Sequence, residues 1–187
     1  MATEVQLRDG TRAFTWRLLP GDREAIREGY ELLSPDAQFH RFLAPVPHLT
    51  DAMLDRLVDD VDGVEHVALV LFVMEADVGI PAGVGRIIRY SEDPKAADVA
   101  VTVLEEFQGR GVASALLQEL LRERPVGVER IVTEVAADNP ASLAMLRRLG
   151  ATTVTTNGGN MLHVIVELAA PASPGTPQPS VDRPSGS

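Results

Sequence analysis

A β-branched strand that runs directly into a two-glycine loop and then into an amphipathic helix limits this chain more than any other feature. The stretch extends from Val101 to Leu117, with Gly109 and Gly111 in the loop. Ala113, Leu116, Leu117, Leu120 and Leu121 recur at the spacing of one helix face, so that face is expected to be buried. Pro125 stops the helix. The first turn of such a helix leaves N–H groups without acceptors and carries a partial positive charge. Glycine before it lets an anion come close to the backbone. The arrangement suits a pyrophosphate. It is equally the form of a strand-to-helix turn that binds nothing.

Two common phosphate-binding loops can be tested on the letters alone. A P-loop needs lysine and serine or threonine after its last glycine, but Val112, Ala113 and Ser114 follow Gly111. A dinucleotide fingerprint needs a third glycine where Ser114 stands. Neither pattern is met.

The rest of the chain gives this loop its setting. Val5–Leu7 and Ala13–Trp16 flank Asp9-Gly10 and predict a hairpin. Helices are predicted from Asp22 as cap to about Leu33, from Ser34-Pro35 to before Pro45, and after Thr50. Apolar β-branched runs predict strands at His66–Met74, Val84–Tyr90, Ala97–Leu104 and Val128–Val135. A loop is expected through Gly79, Pro81 and Gly83. A helix is expected over Pro140–Leu149, with Gly150 as its terminating residue. Two last strands, Ala151–Thr156 and Met161–Glu167, would pair across Asn157-Gly158-Gly159-Asn160. The expected fold class is therefore α/β, in the sense of an α+β sandwich. Residues 1–168 form one domain in this reading. Residues 169–187, rich in Pro, Ser and Gly, form a disordered tail, because they offer little apolar surface to offset ordering.

Composition excludes some functions. The chain has no cysteine, so thiolate metal sites and a cysteine nucleophile are ruled out. His40, His48, His66 and His163 follow no metal-ligand spacing, and no metal is expected. The net charge of −10 argues against nucleic acid and is compatible with a cationic partner. No run is long enough to span a membrane and the start carries no secretory leader, which together lead to an expected cytoplasmic location.

Gln108-Gly109-Arg110-Gly111-Val112-Ala113 resembles the Gln/Arg-x-x-Gly-x-Gly/Ala motif of the GNAT acetyltransferases. About thirty residues on, Asn139-Pro140-Ala141-Ser142 and the helix after it are similar to the family's second motif. The resemblance covers roughly Leu7 to Leu168 and implies the GNAT fold, a mixed and mostly antiparallel sheet flanked by helices. It implies acetyl-CoA as co-substrate, its pyrophosphate wrapped by Gln108 to Ala113. The pantetheine arm would meet Asn139 and Ser142 and the backbone of Val101 and Val103. Asn139 also reads as a plain helix cap before Pro140. Many members of the family pair as homodimers.

Direct attack by an amine on a thioester needs a base, and the first candidate is Asp98, on one strand face with Ala100 and Thr102. Glu134 is the second. Each also reads as an ordinary solvent-facing carboxylate. Many family members carry a tyrosine after the second motif as acid for the leaving thiolate; Ala151 to Glu167 contains none, and the only tyrosines are Tyr30 and Tyr90. Leu7 to Thr11 and Leu33 to Leu43 further resemble bacterial protein-lysine acetyltransferases, which implies a protein lysine as acceptor. A small-molecule amine, and a non-catalytic acyl-CoA-binding module, remain as alternatives.

Overall fold

The computed structural model describes residues 2–76, 78–156 and 159–169. Most of the expected tail, and Asn157-Gly158 of the last expected turn, lie outside them. One eight-stranded sheet has the order β1-β2-β3-β4-β5-β6-β8-β7. Its strands are β1 (Thr3–Gln6), β2 (Arg12–Arg17), β3 (His66–Glu75), β4 (Val78–Arg89), β5 (Ala96–Val103), β6 (Arg130–Ala136), β7 (Gly150–Thr156) and β8 (Met161–Leu168). All neighbours are antiparallel except β5 and β6, which are parallel. The helices are α1 (Arg23–Glu31), α2 (Pro35–Phe42), α3 (Asp51–Leu54), α4 (Val112–Arg122) and α5 (Pro140–Leu146).

Period-two alternation divides the sheet's side chains between two layers. Leu69, Leu71, Val73, Ile87, Ala97 and Val99 pack in one core with Leu116, Leu117 and Leu120 of α4. On the opposite face Leu18 and Ala68 pack with Val58 and Ile26, beneath α1 and the π turn Asp55–Asp59. Ser34 and Thr50 cap α2 and α3 as expected, accepting from the N–H of Ala37 and Met53 at 3.3 Å each. Asp22 does not cap α1 in that way: its carboxylate accepts from the N–H of Leu19 at 2.8 Å and closes the 3-10 turn Pro20–Asp22.

Two further expectations are corrected. The loop anticipated at Gly79, Pro81 and Gly83 is strand, because β4 starts at Val78. Pro81 is tolerated there since the register shifts between Leu71 and Phe72, and a bulge needs no donor from every residue. Gly150 does not end α5, which stops at Leu146; it opens β7 opposite Leu168.

His66 opens β3, 6% exposed, and its Nε2 has no hydrogen-bond partner. Burial and the charge of Arg86 hold its pKa below the usual value, against the pull of Asp60 and Asp62. The folded state therefore binds fewer protons than the unfolded chain once pH falls below the ordinary value of about 6.5, and stability is lost on that side. Thermal melts at pH 7 and pH 5 are expected to show a smaller acid-induced drop in His66→Leu than in wild type. An equal drop would remove His66 from the account.

Candidate functional site

β5 and β6 pair only at Ala96–Arg130 and Ala97–Ile131, and no ladder joins them beyond. Thr133 Oγ1 donates to the carbonyl of Val99 at 3.4 Å, so that carbonyl points toward β6. Successive peptide groups along a strand alternate sides. The N–H and C=O of Val101 and Val103 consequently face the same opening, with no strand to pair with. A crevice of about 500 Å³ fills the gap. Asp98, Ala100 and Val101 line one wall, and Thr133, Glu134 and Ala136 the other.

At the far end of β5 the chain passes Gln108 and enters the loop before α4. Gly109 and Gly111 both have left-handed φ, 76° and 99°. Among the described residues, the N–H groups of Val112, Ala113 and Ser114 reach no acceptor outside the helix, and helix geometry supplies none within it. The loop is held from outside. Arg8 donates to the carbonyl of Gly109 at 3.0 Å, and its backbone N would stand 3.1 Å from a Cβ added at Gly111, a tight contact. Arg110 turns away from the helix terminus: it donates to Asp9 at 3.1 Å, Glu75 at 3.3 Å and Thr11 at 3.4 Å. Hydrogen bonds from Thr11, then Arg110, lower the pKa of Asp9 to about 2. The Arg110 guanidinium thus pairs with the β1–β2 turn and the end of β3.

Asn139 caps α5, its side chain accepting from Ser142 N–H at 3.1 Å, and both residues line the crevice. The structure therefore gathers Asp98, Val101, Glu134, Asn139 and Ser142 around one opening. Gln108, Gly109, Arg110, Gly111, Val112 and Ala113 lie apart at the start of α4, whose Leu117 reaches the crevice wall. The side chain of Val103 packs toward the core, leaving only its backbone for the opening. Asp98 is half-buried, whereas Glu134 is exposed.

Several residues of the site were not singled out by sequence. Tyr90, at the end of β4, lines the crevice and donates to the carbonyl of Val132 at 3.0 Å. Burial raises its pKa, and the charges of Asp98 and Glu134 raise it further. His40 of α2 reaches across to Asp138, beside Asn139, at 3.4 Å. On the sheet face under α1 and α2 lies a second, largely apolar cavity of about 540 Å³. It meets the crevice at Arg41, Phe42, Arg86 and Ala100, which line both. Burial and the nearby Arg86 lower the Arg41 pKa to about 9, and burial likewise lowers that of Arg86, with Asp98 pulling the other way on both. No periodicity marks such arginines, because the charge of Arg41 on α2 and that of Arg86 on β4 each read as solvent-facing until helix and sheet are placed together. Among the described residues no group of three or more His, Cys, Asp or Glu is placed to hold a metal ion. No helix there is long and apolar enough to cross a membrane.

A strand pair that parts after two residues, next to a helix whose glycine-flanked terminus is open, belongs to a known class. The acetyltransferase (GNAT) family model matches residues 27–151, and the chain belongs to this family. It is 34% identical over 148 residues to acetyltransferase Pat of Mycolicibacterium smegmatis, across 79% of this chain and 43% of that protein. It is 30% identical over 115 residues to acetyltransferase PA5475 of Pseudomonas aeruginosa, across 62% of this chain and 61% of that one. The chain thus spans less than two thirds of the length of either relative. Among solved structures it resembles the GNAT domain of S. lividans PAT, with TM-score 0.76, 27% identity and coverage of 89% of this chain and 97% of that one. It also resembles a cAMP-binding acyltransferase from Mycobacterium smegmatis, with TM-score 0.61, 28% identity and coverage of 95% and 51%. The α/β fold with its mixed, mostly antiparallel sheet is the one the motifs implied.

Proposed function

We propose that this chain transfers the acetyl group of acetyl-CoA to a primary amine. The observation that carries the reading is the early parting of β5 and β6. It leaves the Val101 and Val103 peptides open along a crevice wide enough for a pantetheine arm, and the free N–H groups at the start of α4 suit the pyrophosphate. Asn139 and Ser142 stand at the crevice side, where the arm's amides need partners.

In the reaction the amine nitrogen bonds to the thioester carbonyl carbon, the C–S bond breaks, and the nitrogen gives up one proton. Asp98 takes that proton, directly or through one water, since it is the half-buried carboxylate lining the crevice; Glu134 is the more exposed alternative. A strand N–H beside the crevice can donate to the developing oxyanion. The departing thiolate needs a proton, and Tyr90 is the phenol lining the crevice. Two acceptors fit a primary amine: a protein lysine, to which the N-terminal resemblance points, and a small free amine.

Calorimetric titration with acetyl-CoA tests the reading. Wild type should bind saturably. Gly111→Ala, forced against Arg8 at left-handed φ, should bind at least about tenfold more weakly with an unchanged circular dichroism spectrum. A folded wild type that does not bind acetyl-CoA would defeat the proposal. Tyr90→Phe is expected to lower kcat about tenfold and leave acetyl-CoA affinity intact, measured by thiol release.

A further inference from the structure

The cavity under α1 and α2 has an unusual floor. Its walls are mostly apolar, with Arg17, Asp22 and Glu28 also lining it, and two guanidiniums, Arg41 and Arg86, stand where it joins the crevice. Neither Arg41 nor Arg86 makes an ion pair or side-chain hydrogen bond with the described residues, and Arg86 Nε is buried without any partner. Arg86 projects between Ala68 and Ala100, its register neighbours on β3 and β5, so nothing bulky separates it from the cavity. The hydroxyl of Thr102, two residues along the same face of β5, is buried and unpartnered as well. Asp98 is the carboxylate whose field reaches both arginines, and it cannot neutralise two cations. Half-buried cations without a counter-ion and buried donors left unpaired are costly, and a bound anion offsets both.

This anion must lie close to the reacting amine, because Asp98 lines the crevice beside that junction and its charge reaches both arginines. Its remaining body must be apolar to fill the cavity beyond. We infer, on the basis of the proposed acetyl transfer, that the acceptor is a free α-amino acid with an apolar side chain. Its carboxylate is held by Arg41 and Arg86, its amine faces Asp98, and its side chain occupies the cavity under α1 and α2. An α-amino acid places amine and carboxylate on one carbon, which matches the adjacency of base and guanidiniums. The ε-amine of a lysine in a protein has no anion beside it, and would bring a further positive charge to a floor that already holds two.

The test is a panel of acceptors offered to the wild-type protein with acetyl-CoA: phenylalanine, leucine, phenylalaninamide, phenethylamine and Nα-acetyl-lysine amide. Acetylation of phenylalanine or leucine should exceed that of phenethylamine and phenylalaninamide in kcat/KM by at least about a hundredfold, as expected when buried donors reject an analogue lacking their partner. In Arg86→Gln and Arg41→Gln, each checked for fold by its thermal melt, that discrimination should shrink at least about tenfold through KM. Preference for Nα-acetyl-lysine amide, or equal use of acids and amides by wild type, overturns the inference. So does a loss of kcat alike for every acceptor in both variants, which would assign the guanidiniums to the oxyanion. A protein that binds acetyl-CoA but acetylates no amino acid also overturns it while leaving the proposed co-substrate standing. Failure to bind acetyl-CoA removes the underlying reading itself.

Discussion

Replacement of Asp98 by Asn should lower kcat about 10²- to 10⁴-fold, the usual contribution of a positioned general base, while the Kd for acetyl-CoA stays within about twofold. The amide keeps the shape of the side chain and its place on β5 but cannot accept the ammonium proton. Residual activity in the variant should rise with pH, because free amine becomes available without the base. Wild type, with the carboxylate present, should show a shallower rise. Asp98 is suited to the part by position: it shares a strand face with Ala100 and Thr102 and lines the crevice. Glu134→Gln should cost far less, since that carboxylate is exposed to solvent. A variant pair in which Glu134→Gln collapses kcat and Asp98→Asn does not would exchange their roles.

Gly150→Ala should destabilise the protein by about 3 kcal/mol or more, read as a lowered midpoint in urea unfolding. A Cβ at this position would overlap the backbone carbonyl of Glu167, and a backbone carbonyl cannot rotate aside as a flexible side chain does. The strain would fall on the β7–β8 ladder, where Gly150 pairs with Leu168 and Ala151 with Glu167. At Gly109 the space around the added methyl is free, leaving only its left-handed φ as a cost. Gly109→Ala should therefore cost about 1 kcal/mol or somewhat more, and comparison of the two variants separates steric overlap from conformational preference.

Most strands were legible because their apolar β-branched runs are long and bounded by turn residues. His66 to Met74 and Ala97 to Val103 need no tertiary information. The Gly109–Gly111 loop and Asn139 were legible because a strand, a glycine and a helix cap stand in a short, ordered row. The bulged start of β4 was not: Pro81 argues against a strand unless the register shift opposite Phe72 is known. Gly150 was misread because a glycine after a helix and a glycine pressed against another strand look the same in one dimension. The arginines were the largest omission. Arg41 and Arg86 are 45 positions apart in sequence, and only the packing of α2 over β4 and β5 turns two ordinary charges into one cationic floor.

The grip of Arg8 and Asp9 on Gly109 and Arg110 spans 101 residues in each case. A loop shaped in this way cannot be acquired by a local segment. Closing so long a span carries an entropic cost that only the assembled sheet offsets. A peptide carrying β5, the loop and α4 alone should therefore fail to recognise the ligand. In the intact chain the two events are linked: whatever settles on the start of α4 favours the closed hairpin, and with it the whole molecule. Slowing of amide exchange by acetyl-CoA should accordingly extend to the β1–β2 turn, far along the chain from the start of α4.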